Sequence, residues 1–299
     1  MHDLADLYPG YASRWIDTSA GKLFARVGGS GPPLLLLHGH PQSNVMWHRV
    51  APALAPHFTL VIADLPGYGW SAAPPADAEH APYTKRAMAA GMVEVMETLG
   101  FARFRLAGHD RGGRVGYRLA LDHPGRLEQL AVLDIISTWD MWHRLSAALA
   151  SRAWHWMFLA LPEPFPETLI SHDPKFFFDS RARAGAKAKT VSVFDPRALA
   201  HYHAAYDDPT RIHAMCEDYR AGASIDLEHD KSDSERMIRC PTLILWGNKS
   251  PTTSALFDIE AAWRNEGQNM QFKAIESGHF FPEENPQETL SAMTAFFMS

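Results

Sequence analysis

The feature that most constrains the fold is a series of short apolar runs, each ending close to a glycine, proline or aspartate. Continuous apolar runs are typical of strands buried on both faces, and their alternation with helices indicates a parallel sheet covered by helices. A helix is predicted over 83–99, and another closes the chain at 286–297. The runs lie at residues 34–37, 59–63, 104–107, 130–133, 242–246 and 270–275. The sequence therefore predicts an α/β fold with a mostly parallel central sheet.

The region from residue 138 to 239 has a different texture, without an evident strand. It is rich in Trp, His, Phe, Ala and Arg, and Pro162, Pro164 and Pro166 interrupt it. We predict an all-helical cap domain here, inserted after the strand that ends at Asp134. It is expected to lie over the carboxyl ends of the strands, where open α/β sheets bind ligands. The core domain is then formed by residues 1–137 and 240–299.

Composition narrows the possible partners. The net charge of −6 and the pI near 6.2 argue against binding to nucleic acid or to an anionic membrane, since both require a basic patch. No apolar run approaches the roughly 20 residues that span a bilayer, and the N-terminal Met1, Asp3 and Asp6 do not form the basic start of a signal peptide. Cys216 and Cys240 have neither metal-ligand nor redox spacing and are expected to be free thiols. We expect a cytoplasmic homodimer that acts on a small molecule.

The segment Gly108-His109-Asp110-Arg111-Gly112 stands between an apolar strand and a probable helix. This is the context of a nucleophile elbow, a turn so tight that the residues two before and two after the nucleophile must be small. Serine is the usual nucleophile there, whereas this chain has Asp110. A carboxylate is already ionised at neutral pH and can attack a saturated carbon that bears a leaving group. The alternative is an ordinary loop in which Asp110 caps a helix.

A base and an acid follow in the order that this fold requires. His279 comes after the last predicted strand and before the final helix, as expected of the base. Many hydrolases with a nucleophile elbow of this kind carry the acid in the stretch that corresponds to Gly247–Ser250. That stretch has no carboxylate here, whereas the preceding strand ends in Asp134. We therefore predict Asp110, His279 and Asp134 as the catalytic triad of an α/β-hydrolase fold.

The oxyanion hole is predicted from two backbone N–H groups. One belongs to His40, in the segment His38-Gly39-His40-Pro41 after an early strand, and the other to Arg111, directly after the nucleophile. His38 and His40 lack a third ligand at useful spacing, so no metal site is predicted. The glycine-rich segment 28–31 lacks the Lys and Ser/Thr of a phosphate loop and is interpreted as a turn.

These motifs resemble those of the haloacetate dehalogenases, and of fluoroacetate dehalogenases in particular, over essentially the whole chain. The resemblance implies hydrolysis of a small 2-haloacid such as fluoroacetate to glycolate and halide, through an ester on Asp110 and without a cofactor. The segments that carry it are residues 38–42, 46–50, 64–69, 108–114, 194–197, 216–222 and 276–280.

The substrate contacts follow in part from the chemistry of these residues. Related epoxide hydrolases and haloalkane dehalogenases place Trp after the nucleophile, whereas this chain has Arg111, with Arg114 one helical turn later. A pair of guanidinium groups can hold a small carboxylate. The resemblance also implies that His155, Trp156 and Tyr219 surround the departing halide, and each can donate a hydrogen bond.

Two positions depart from the family, and two other functions stay open. His40 stands where phenylalanine is expected, and the segment 181–185 lacks an expected tryptophan, so halide preference and pocket size are undetermined. An epoxide hydrolase could use the same triad, with Tyr202 or Tyr206 as acid. A catalytically silent binding protein is the third possibility, and measurable turnover would exclude it.

Overall fold

Eight strands form one sheet in the computed structural model, which describes residues 4–299, in the order β1-β2-β4-β3-β5-β6-β7-β8. Strands β3 to β8 run parallel to one another. At one edge, β1 and β2 form an antiparallel hairpin, and β2 pairs antiparallel with β4. The strands are β1 (Ala12–Thr18), β2 (Gly21–Gly29), β3 (Pro33–Leu37), β4 (Thr59–Ala63), β5 (Phe104–His109), β6 (Leu127–Leu133), β7 (Thr242–Gly247) and β8 (Met270–Ile275).

The helices cover both faces of the sheet and fill the interval between β6 and β7. In chain order they are α1 (Ala51–Leu54), α2 (Lys85–Thr98), α3 (Arg111–Asp122), α4 (Thr138–His143), α5 (Ala147–Arg152), α6 (Trp154–Leu159), α7 (Phe165–His172), α8 (Pro174–Gly185), α9 (Pro196–Tyr206), α10 (Pro209–Ala223), α11 (Ile225–Ser232), α12 (Ile259–Trp263), α13 (Phe281–Glu284) and α14 (Pro286–Phe297). The α/β class predicted from the apolar runs is confirmed.

The edge hairpin β1–β2 was not predicted from the sequence. Its first strand is largely exposed and carries an exposed Trp15, so it has no continuous apolar run. The glycine-rich segment also differs from prediction, because Gly28 and Gly29 complete β2 rather than lying in a turn. Residues 1–3, which the sequence assigns to the core domain and whose acidic character argued against a signal peptide, lie outside the described residues.

Three of the cap helices begin with the same local signal. Asp173, Asp195 and Asp208 each accept a hydrogen bond from a backbone N–H in the first helical turn, and each is followed by proline. The carboxylate satisfies a donor that the helix leaves free, and proline lacks the N–H that would otherwise be unpaired. The helical cap over 138–239 remains our interpretation of this segment as a domain. Across residues 4–299, no helix has the length and apolar character needed to cross a membrane, and both cysteines are free.

A buried carboxyl group joins the cap to the core. Glu283, fully buried at α13, accepts hydrogen bonds from Tyr202 of α9 at 3.0 Å and from Gln42 of the core. Its other oxygen has no hydrogen-bond partner. Burial raises the pKa of Glu283 to about 8, despite these hydrogen bonds. The contact is therefore most stable when this carboxyl group is protonated.

Glu283→Gln is expected to stabilise the protein increasingly as the pH rises from about 4.3 to about 8. The carboxyl group has its ordinary pKa of about 4.3 when unfolded and about 8 when folded. Wild-type stability falls across that window because ionisation favours the unfolded chain. The variant escapes this loss, which is on the order of a few kcal/mol at about 1.4 kcal/mol per pKa unit. Thermal unfolding of both proteins at pH 5 and pH 8.5 measures the difference, with the exposed Glu235→Gln as control. A stability difference that does not change with pH would contradict it.

Candidate active site

Asp110 stands at the apex of a tight turn between β5 and α3. Its backbone angles, φ 48° and ψ −114°, are strained for a residue with a side chain. A Cβ atom on Gly108 would lie 2.2 Å from the carbonyl oxygen of Gly112, and one on Gly112 would lie 2.5 Å from that of His38. Any larger residue at either position would force the turn open. This tight turn places the Asp110 carboxylate at the wall of a cavity beneath the cap.

The predicted triad residues meet at the carboxyl ends of the strands. His279 Nδ1 lies 2.5 Å from Asp134 Oδ2, and His279 Nε2 lies 4.0 Å from Asp110 Oδ2. Three further donors hold the buried Asp134 carboxylate: the Gly247 N–H at 2.9 Å and the hydroxyl groups of Ser250 at 2.8 Å and Thr253 at 2.9 Å. The latter two residues were not singled out from the sequence. They fix the carboxylate that orients the imidazole.

Electrostatics leaves Asp110 ionised. Burial alone would raise the pKa of Asp110, but the nearby positive charges of His279, Arg111 and Arg114 outweigh it and lower the pKa. At His279, burial would lower the pKa, but the hydrogen bond to Asp134 and the charges of Asp134 and Asp110 outweigh it and raise the pKa. The pair therefore combines an anion at the apex of the turn with an imidazole that holds its proton more tightly than a free one.

The two oxygens of Asp110 have different surroundings. Oδ1 accepts a hydrogen bond from the His40 N–H at 2.8 Å. A Cβ atom on Gly39 would lie 2.7 Å from the Arg111 backbone nitrogen and 2.4 Å from Asp110 Cβ, so this loop packs directly against the nucleophile turn. Oδ2 faces His279 instead. The His40 N–H, one of the two predicted oxyanion-hole donors, thus contacts one oxygen, while the other oxygen faces the histidine.

The two arginines predicted to hold the substrate carboxylate have different surroundings. Arg111 is fully buried and forms a forked ion pair with Asp218, from Nε at 2.8 Å and from Nη2 at 2.7 Å. Its Nη1 has no hydrogen-bond partner in the part of the chain that the structure describes. Lys85 and Tyr68 also bond to Asp218. This pairing was not foreseen, because Asp218 lies 107 positions away in the sequence.

Arg114 lines the cavity in front of Asp110. Its Nη1 donates to the Thr138 hydroxyl at 3.0 Å, its Nε has no hydrogen-bond partner, and its guanidinium lies 4.5 Å from the Trp156 ring centroid. Among residues 4–299 no carboxylate forms an ion pair with it. Arg114 is therefore the more available of the two predicted clamp residues.

The three residues predicted to surround the halide form one aromatic cluster. Tyr219 contacts His155 and Trp156 edge to face, with ring centroids 5.8 Å and 5.5 Å apart. His155 and Trp156 line the cavity, and burial lowers the pKa of His155 well below its ordinary value. His155 and Trp156 therefore present a neutral imidazole and an indole to the cavity, with the Tyr219 ring packed against both.

The cavity has a volume of about 620 Å³. His40 lines it and stacks on His155 at 5.9 Å, and burial lowers the pKa of His40 to about 3, so the imidazole is neutral. Gly185 lines the wall beside His279. The two departures from the family pattern thus lie in the same cavity. A residue not predicted, Arg181, also lines it.

The residues proposed for the epoxide alternative lie elsewhere. Tyr202 bonds to Glu283, and the Tyr206 hydroxyl lies 3.3 Å from the Met215 sulfur. Neither lines the cavity that contains Asp110. Their assignment as acids therefore stays a prediction, with both side chains buried and engaged in these contacts. Over the described part of the chain, no cluster of three His, Cys, Asp or Glu residues is arranged to hold a metal.

Comparison with known proteins agrees with the fold. The family model for the α/β-hydrolase fold matches residues 32–286. A fluoroacetate dehalogenase of Burkholderia sp. is 44% identical over 97% of this chain and 95% of its own length. A soluble epoxide hydrolase of Corynebacterium sp. (strain C12) is 31% identical over 90% of this chain and 91% of its own. A structure from Nostoc sp. PCC 7120 described as an α/β hydrolase superposes with a TM-score of 0.94, at 44% identity, covering 96% of this chain and 98% of that one.

The chain therefore belongs to the α/β-hydrolase superfamily. Within it, the extent of the similarity to the fluoroacetate dehalogenase places the chain in the haloacetate dehalogenase family, as the motifs predicted. The family consists of hydrolases that act on carbon–halide bonds, so the expectation of an enzyme of this class is confirmed at the level of the family.

Proposed function

We propose that this enzyme hydrolyses a 2-haloacid of the haloacetate type to the 2-hydroxyacid and halide. The observation that carries the proposal is the carboxylate of Asp110, which stands at a nucleophile elbow with one oxygen held by the His40 N–H and the other facing His279. Its lowered pKa keeps it ionised without a general base. A carboxylate in this position suits displacement at a saturated carbon.

In the first half-reaction, Asp110 Oδ2 attacks the carbon that bears the halide. The new C–O bond forms as the carbon–halide bond breaks, and the bond's electron pair leaves with the halide. His155, Trp156 and Tyr219 are the proposed hydrogen-bond donors as charge develops on the halogen, and such donors matter most for fluoride. Asp110 then carries the substrate as an alkyl ester.

In the second half-reaction, water attacks the carbonyl carbon of that ester. His279 Nε2 is 4.0 Å from Asp110 Oδ2, too far for a direct hydrogen bond, and it can take the proton of a water beside the ester. Asp134 stabilises the resulting imidazolium. Negative charge develops on Oδ1, where the His40 N–H already donates, and the Arg111 N–H is the second proposed donor. The bond between Oδ2 and the carbonyl carbon then breaks, and the leaving alkoxide takes the proton from His279 to give the 2-hydroxyacid. Asp110 is left as a carboxyl group that loses one proton to solvent.

The substrate carboxylate is proposed to bind Arg114, which lines the cavity without an ion-pair partner among the described residues. Arg111 can add one contact through its free Nη1, while its fork stays with Asp218. A cationic wall of this kind favours acids over neutral substrates.

The second candidate is an epoxide hydrolase with the same triad. It is supported by the similarity to the soluble epoxide hydrolase of Corynebacterium. The positions of Tyr202 and Tyr206 outside the cavity argue against the acids that this reaction would need. Turnover of styrene oxide in preference to chloroacetate would favour this candidate.

Isotope labelling tests the covalent step. In ¹⁸O-water with enzyme in excess, a single turnover of chloroacetate is expected to place the label in Asp110 and to leave glycolate unlabelled. The reason is that water attacks the ester carbonyl, so the alcohol oxygen of the product comes from the protein. After many turnovers glycolate becomes labelled. Mass spectrometry of the product and of the Asp110 peptide measures both, and labelled glycolate in the first turnover would mean that Asp110 is a general base.

A further inference from the structure

Arg181 is a buried cation that the proposed reaction does not use. Its side chain lies on α8, only 7% exposed, and lines the same cavity as Asp110. Within residues 4–299, Nε and Nη1 have no hydrogen-bond partner, and Nη2 makes one long contact of 3.4 Å with His155 Nε2. Burying an unpaired guanidinium is costly, so such a group is expected where an anion binds.

The surroundings of Arg181 contain no anionic side chain, among residues 4–299, that pairs with its guanidinium. His155 is neutral, since burial holds its pKa well below the ordinary value, and Trp154 contributes only its ring face at 5.5 Å from the guanidinium. Asp110 is within electrostatic range but does not form an ion pair with Arg181. Among residues 4–299 no carboxylate is paired with this group.

The cavity as a whole favours anions, although the chain carries a net charge of −6. The carboxylates that line it are Asp110 and Asp134, both already assigned to the triad. The cations that line it are Arg114, Arg152, Arg181, Lys189 and Lys249. Positive charge concentrated in a partly enclosed space raises the local concentration of anionic ligands. Arg114 alone accounts for one substrate carboxylate, which leaves Arg181 in excess.

Size also exceeds what a two-carbon acid needs. The cavity of about 620 Å³ falls in the range of about 300–1,000 Å³ that holds drug-sized ligands. Gly185, on the same helix as Arg181, lines the cavity, and a Cβ atom there would lie 2.7 Å from the Phe280 ring and 3.4 Å from His279 Cβ. A larger residue at 185 would therefore require the Phe280 ring to shift.

We propose that the enzyme acts on halogenated dicarboxylates, with Arg114 holding the carboxylate next to the reacting carbon and Arg181 holding the second one. This rests on the proposed function and names its substrate class. Asp110 displaces halide from the carbon between them, and water then cleaves the ester, so that one halide and one proton are released as the hydroxydicarboxylate forms. Arg181 is thus a specificity-determining residue.

The experiment compares three substrates: 2-chlorosuccinate, 2-chlorobutyrate, which has the same branching without the second charge, and chloroacetate. For wild type we expect kcat/KM on chlorosuccinate to exceed that on chlorobutyrate by about 10- to 150-fold, the range for a hydrogen bond to a charged group. Arg181→Met is expected to remove this advantage and leave chloroacetate turnover within about threefold, while Arg181→Lys retains part of it. Arg183→Met, an exposed change on the same helix, is the matched control.

The outcomes separate the two proposals. No halide release from any substrate would overturn the proposed function itself. Chloroacetate turnover without a preference for chlorosuccinate over chlorobutyrate would overturn only the dicarboxylate assignment, and wild-type enzyme suffices for that comparison. If Arg181→Met lowered turnover of all three substrates equally, Arg181 would serve the halide or the fold, and the assignment would again be overturned. Thermal melting of each variant identifies a folding defect.

Discussion

His279→Ala is expected to release halide once per active site and then stop, with the substrate's carbon left as an ester on Asp110. Alkylation needs only the carboxylate, which is ionised without help, whereas ester hydrolysis needs the imidazole that faces Asp110 Oδ2 at 4.0 Å. Loss of a general base lowers steady-state turnover by about 10²- to 10⁴-fold. Intact-mass measurement after incubation with chloroacetate should show the added carboxymethyl group, and halide assay should show a burst of one equivalent.

Asp110→Asn is the control for that measurement, since an amide cannot form the ester and neither burst nor mass shift is expected. Unmodified His279→Ala protein, under conditions in which wild type turns over, would contradict the role of His279 in the second step. The pH dependence offers a further check on the wild type. A base must be neutral, and the Asp134 contact raises the pKa of His279. Steady-state turnover should therefore fall as the pH drops through that raised pKa, while the initial burst persists.

The second large expected effect is a difference between substitutions of the two arginines that follow Asp110 in the sequence. Arg114→Met is expected to lower kcat/KM for haloacetates by about 10- to 150-fold, corresponding to the loss of a charge-assisted contact worth about 1.5–3 kcal/mol. Its effect on stability should be small, because Arg114 has no ion-pair partner among the described residues and burial already lowers its pKa. Steady-state kinetics and thermal unfolding measure the two quantities.

Arg111→Met should behave differently, because Arg111 holds Asp218 through a buried fork. Removing one partner of a buried ion pair costs about 3–5 kcal/mol of unfolding free energy. Lys85 still contacts Asp218, so we expect the lower end of that range. Activity should fall together with stability. Equal stability of the two variants, or a normal specificity constant for Arg114→Met, would contradict this division of roles.

Several features of the fold could be predicted because they are written locally in the chain. The strand at Met270–Ile275 and the helix at Pro286–Phe297 have the predicted bounds, since apolar periodicity and a proline start are properties of neighbouring residues. The turn at Asp110 could also be anticipated, because only glycine fits two positions to either side of it. The edge hairpin escaped prediction because its exposed strand carries no apolar run.

The candidate site could likewise be predicted from the sequence only in part. Chain order alone placed His279 and Asp134 with Asp110, because the carboxyl ends of parallel strands meet at one edge of a sheet. Whether an arginine is free or paired, however, depends on residues brought near it by the cap. Arg111 meets Asp218 from α10, whereas Arg114 meets the Thr138 hydroxyl group and the Trp156 ring.

The sequence by itself thus determined the fold class, the family and the residues that meet at the strand ends, since these depend on local backbone preference and chain order. Only the tertiary structure decided that Tyr202 donates to Glu283, and that Arg181 of α8 lines the cavity without a counter-ion among residues 4–299. The physical reason is that side-chain direction and ion pairing are set by helices of the cap packing against each other and against the core. Such contacts join residues that are far apart in sequence, so no local sequence pattern predicts them.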